Sequence, residues 1–133
     1  MIDLSKTSGV VLESTQSFKE IISELRSQGY FAVLVDRAPV FNKETLLHAL
    51  YQSCVFPASF GFNWDALEDT LLDFSWLEEQ PKGFALVFRN FGVLEERAPN
   101  VAETLLEIVN DVAKVRKEKM RSPLFIVKAQ QIS

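Results

Sequence analysis

Apolar positions recur along this chain in two rhythms. Tyr30–Val35, Phe84–Phe88 and Leu124–Val127 are near-continuous apolar runs of strand length, as expected of strands covered on both faces. The stretch GVVLE at 9–13 reads as a further short strand. Elsewhere the spacing is helical. Phe18, Ile21, Ile22 and Leu25 form an i, i+3, i+4, i+7 stripe; Ser17 with Glu20 makes a capping box before it, and Gly29 ends it. Asn42 is placed to cap a second helix carrying Leu46, Leu47 and Leu50, which must stop before Pro57. Asn63 caps a short third helix. Pro99 and Asn100 open a long one, with Glu103 at capping-box distance from Asn100 and an apolar side of Val101, Leu105, Ile108 and Val112. Apolar strands separated by helices, with no tight hairpin turn, predict an α/β fold with a parallel sheet.

The third helix is two-sided. At 100° per residue Trp64, Leu67, Leu71 and Phe74 gather on one side, while Asp65, Asp69 and Asp73 form a row on the other. Glu68 stands beside that row. Like charges at i, i+4 destabilise a helix by roughly 0.2–0.5 kcal/mol per pair. Such a row is either a solvated face or a docking face for a cationic partner. The loop before it carries Phe56, Phe60, Phe62 and Trp64 around Gly61, and loops are normally polar. Phe56 and Phe60 are expected in the core, whereas Phe62, between Gly61 and Asn63, is the aromatic expected at the surface. An aromatic loop beside an acidic helix supplies apolar anchors and electrostatic steering together.

Charge sharpens this picture. The chain of 133 residues has a net charge of -4, yet residues 44–81 contain seven acids and no Lys or Arg. A field of that sign attracts cationic partners and repels nucleic acid. The length suits one domain, and neither a linker nor a repeat divides residues 1–133. No apolar run reaches the ~20 residues of a membrane span, and no secretory signal is visible at the N-terminus, so a cytoplasmic protein without membrane association is expected. Cys54, the only cysteine, reads as a small buried hydrophobe. His48, the only histidine, reads as a helix-face or core residue without a nucleophile partner. Asp65 and Asp69 as an acid/base pair or a metal site would need further converging groups. No catalytic residue, metal site or cofactor is therefore assigned. Lys114, Arg116, Lys117, Lys119 and Arg121 cluster where a helix dipole favours cations.

The segment PASFGFNWDALEDTL resembles the signature of the barstar family, intracellular inhibitors of the ribonuclease barnase, at Pro57, Phe60, Gly61, Asn63, Trp64, Asp65, Ala66, Leu67 and Asp69. The resemblance implies strand, helix, helix, strand, helix, strand around a small parallel sheet over residues 30–128, with residues 1–29 an added strand–helix unit packed on it. It further implies a monomeric, non-enzymatic inhibitor that occludes the cationic active site of a basic nuclease, most simply a ribonuclease toxin. In that scheme Asp69 enters the phosphate pocket, Asp65 adds a second acidic contact, and Gly61 and Asn63 shape the approaching loop. Asp111 on the long helix supplies a further acid. Phe62, Trp64 and Glu68 complete the expected partner-binding set. Ser59 and Glu68 stand where the family has aromatic contacts, and Phe62 where it has a polar residue. The charge logic is kept while the apolar contacts are rewritten. The alternative is an interaction module of the same fold with a non-nuclease partner.

Overall fold

The computed structural model of the chain describes Leu4 and residues 10–129. Its elements run β1 (Val11–Ser14), α1 (Phe18–Ser27), β2 (Phe31–Leu34), α2 (Lys43–Ser53), α3 (Trp64–Asp73), β3 (Phe84–Phe88), α4 (Phe91–Arg97), α5 (Pro99–Glu118) and β4 (Leu124–Ala129). The four strands form one parallel sheet in the order β1-β4-β3-β2. The expected α/β fold with a small parallel sheet is present, and Gly9 of the expected first strand lies outside the described residues. Among the described residues no helix is long and apolar enough to cross a membrane.

Strand alternation divides the core in two. Phe84, Leu86 and Phe88 face one side with Val33, Leu124 and Ile126, and there they meet Leu46, Leu50, Leu67, Leu71, Leu105 and Val109 of the helices. Ala85 and Val87 face the other side with Ala32, Phe125 and Val127, where Ile21 and Leu25 of α1 cover them. The continuous apolar runs are thus strands buried on both faces. β1 joins the sheet beside β4, in the register Val11↔Ile126.

Two expectations need correction. α4 was not foreseen: its seven residues include Gly92 and no side chain caps its start, so neither periodicity nor capping chemistry marks it. Its N-terminus is held instead from a distance. Buried Asp36, just after β2, accepts the backbone N–H of Arg89 at Oδ1 and of Asn90 at Oδ2, both at 2.8 Å. A carboxylate there also suits the positive end of a helix. Second, Asn100 does not cap α5. Pro99 occupies the first turn after Ala98, which makes no side-chain cap, because α4 runs almost directly into α5. The buried side of α5 is Ala102, Leu105, Val109, Val112, Ala113 and Arg116, with Val101 and Ile108 only half-buried.

Helices α2, α3 and α5 end in left-handed residues that are not glycine: Val55 (φ 54°), Phe74 (φ 48°) and Met120 (φ 56°). That conformation costs an L-residue roughly 1–2 kcal/mol. Phe74 recovers this through a fully buried ring, but Met120 is 94% exposed and has no packing to lose. Met120→Gly is therefore expected to raise stability by about 0.5–1 kcal/mol, read as a higher urea midpoint at unchanged slope. Phe74→Gly should do the opposite.

Candidate protein-binding site

The loop from α2 to α3 sorts its aromatics as the sequence suggested. Phe56 and Phe60 are buried, with their rings 4.9 Å apart, and Trp76 meets Phe56 edge-on. Phe62 is 36% exposed. Its ring is not loose, since it rests on His48 at 4.5 Å, Tyr51 at 5.1 Å and Phe60 at 4.9 Å. Asn63 ties this loop to the helix. Its Oδ1 accepts the backbone N–H of Ala66 at 2.8 Å, satisfying a free donor of the first turn. Its Nδ2 donates to the Gly61 carbonyl at 3.3 Å. A Cβ at Gly61 would lie 3.2 Å from that same Nδ2, so glycine lets the loop close on the cap.

α3 buries Leu67, Leu71 and Phe74 completely. Trp64 is half-buried, with the Lys43 ammonium 5.2 Å over its ring. Asp65, Asp69 and Asp73 are exposed and Glu68 is partly so. Carboxylates at i, i+4 stand about 6 Å apart along the axis. None of these four is held in an ion pair among the described residues. Asp73 differs from the others, because its Oδ2 accepts the Ser75 hydroxyl at 2.6 Å. Asp111 is exposed on α5, the helix that packs against α3. The structure thus brings Gly61, Phe62, Asn63, Trp64, Asp65, Glu68 and Asp69 onto one continuous segment, with Asp111 contributed by a separate helix.

One residue that governs this site was misread from sequence. Arg116 was grouped with its neighbours as a cluster suited to the helix dipole, yet it is 1% exposed. Its Nη1 donates to the carbonyls of Leu72 at 2.7 Å and Leu71 at 3.3 Å, and its Nε to that of Ser122 at 2.7 Å. Arg121 adds a second donor to Leu72 at 2.9 Å. The last carbonyls of α3, which lack partners within their own helix, are thereby satisfied from α5. The guanidinium lies 5.5 Å from the Phe74 ring centre and 5.0 Å from that of Phe84. Burial pulls its pKa down, Arg121 adds to the fall, and Asp73 opposes it. A signal was available, because Arg116 falls four after Val112 and seven after Val109, on the apolar side of α5.

His48 is exposed on α2 and Cys54 is fully buried, both within their expected readings. Burial pushes the Cys54 thiol up to about 12, so it carries no thiolate at neutral pH.

The segment from β2 through β4, with its buried aromatics, capped acidic helix and exposed carboxylates, is where known proteins become informative. No curated protein matches the chain. The sequence model of Barstar (barnase inhibitor) matches residues 30–128, which take in α2, the aromatic loop, α3 and α5. Members of that family are inhibitors of barnase-type ribonucleases rather than enzymes. On this match, which spans most of its length, the chain belongs to the barstar family of barnase inhibitors.

Proposed function

We propose that this protein is an intracellular immunity protein, an antitoxin that inhibits a ribonuclease-type toxin by seating α3 and the aromatic loop in the enzyme's cationic active site. The observation that carries the reading is the exposed, unpaired row of Asp65 and Asp69, which begins directly after the Asn63 cap. A ribonuclease active site is cationic because it binds phosphates, so an acidic plug gains from the same charges. Asp69 occupies the phosphate position and Asp65 pairs beside it. Glu68 and Asp111 add charge at the margin, while Phe62 and Trp64 supply apolar contact. Gly61 and Asn63 hold the loop in shape. One copy acts on one enzyme in the cytoplasm, without cofactor or turnover.

The test is inhibition of barnase-catalysed RNA cleavage together with stopped-flow association. Purified protein should abolish cleavage at equimolar ratio and hydrolyse nothing alone. The association rate should fall at least tenfold between low and physiological salt while the dissociation rate changes little, because salt screens encounter more than the docked state. A flat association rate would remove electrostatic steering. A partner that proves not to be a nuclease would leave only an interaction module of this fold.

A further inference from the structure

Beside the N-terminus of α3, the first turns of α2 and Phe62 enclose a recess of about 250 Å³ lined by Lys43, Glu44, Leu47, His48 and Phe62. Its walls are of two kinds. On one side the rings of Phe62 and His48 lie 4.5 Å apart at 33°. Phe62 is held there at φ 52°, a conformation that glycine would adopt without cost. The chain accepts that cost and keeps an aromatic ring at the surface. Glu44, an exposed acid, also lines the recess; it is the first acid of the 38-residue stretch without Lys or Arg. Lys43, the lining residue of opposite sign, has its ammonium over the Trp64 ring.

We propose that this recess receives an arginine side chain of the inhibited ribonuclease, its guanidinium stacked on Phe62 and paired with Glu44. The inference rests on the inhibitor reading above and extends the interface from α3 onto α2. A planar, permanently charged group is what a ring and a carboxylate recognise together. Guanidinium stacks on aromatic faces and pairs with carboxylates through two parallel N–H donors, whereas an ammonium offers neither geometry. Because His48, Tyr51 and Phe60 already fix the Phe62 ring, little side-chain freedom is lost when the guanidinium docks.

Dissociation constants for barnase decide the matter, measured with the wild-type chain, Glu44→Gln, Phe62→Leu and Asp69→Ala. Each is repeated against barnase variants in which single arginines are replaced by alanine. Glu44→Gln and Phe62→Leu should each weaken binding at least tenfold. Against one barnase arginine variant both losses should vanish, the sign of a shared partner. Urea denaturation of each variant serves as the folding control. If Glu44→Gln and Phe62→Leu bind normally while Asp69→Ala does not, the recess is not part of the interface and the inhibitor reading stands. Losses that couple to no arginine overturn the arginine assignment. If Asp69→Ala also binds normally, or no complex forms, the acidic-plug reading falls and this inference with it.

Discussion

Asp69→Ala is expected to cause the largest loss of nuclease affinity of any single change on α3. Removing one member of a desolvated charge pair leaves the opposing cations of the enzyme buried without a partner, at a cost of about 2–5 kcal/mol. At about 1.4 kcal/mol per tenfold, that is roughly thirtyfold to several-thousandfold in the dissociation constant. Asp65→Ala should cost less, because it stands at the start of the helix beside the loop. Asp73→Ala should cost least, since its carboxylate is already engaged by Ser75 and lies near Arg116. All three side chains are exposed, so the variants should fold. Removing one like-charge neighbour is worth a few tenths of a kcal/mol to the free protein. Titration calorimetry against barnase, with urea denaturation as the folding control, separates the possibilities. Equal small losses at all three positions would mean a diffuse acidic surface, and an unfolded Asp69 variant would make that carboxylate structural.

Arg116→Ala should be the most damaging single substitution for stability, at about 3–5 kcal/mol. It removes the side-chain donor to the carbonyls of Leu71 and Ser122, leaves that of Leu72 to Arg121 alone, and empties the space beside the stacked Phe74 and Phe84 rings. Arg116→Lys restores a charge but not the fork that reaches three carbonyls, and should recover less than half of the loss. Equilibrium urea unfolding measures both. Arg121→Ala, removing an exposed donor to the Leu72 carbonyl, should cost under about 1 kcal/mol. If Arg116→Ala unfolded no earlier than Arg121→Ala, the closure of α3 by α5 would contribute nothing beyond a surface hydrogen bond.

These two residues also mark where the chain was legible. Positions whose role is local could be read directly. Asn63 caps the residue three ahead of it, Leu67 and Leu71 follow their own helix's period, and Phe62 differs from Phe60 by its polar neighbours. The three longer strands were visible because burial on both faces leaves an uninterrupted apolar run. Roles set across long sequence separations were hidden. Arg116 serves carbonyls 44 and 45 residues earlier, and Asp36 serves amides 53 and 54 residues later. A linear charge pattern reads the first as helix-dipole compensation and the second as a strand breaker. The contact of His48 with Phe62 was hidden likewise, because it depends on how α2 and the loop pack. α4 escaped for another reason: with its first turn held by Asp36, it needs no capping sequence of its own.

The family match begins at residue 30, yet one whole side of the sheet is shielded from outside that span. Ala32, Ala85, Val87, Phe125 and Val127 meet Ile21 and Leu25 of α1. The segment that records kinship and the segment that completes the core therefore have different boundaries. A fragment trimmed to residues 30–128 would retain the acidic row, the Asn63 cap and the Arg116 clasp, while baring an adhesive sheet face of the kind that drives aggregation. Its insolubility in a bacterial lysate would reflect the loss of β1 and α1, with the acidic row and its cap still encoded in full.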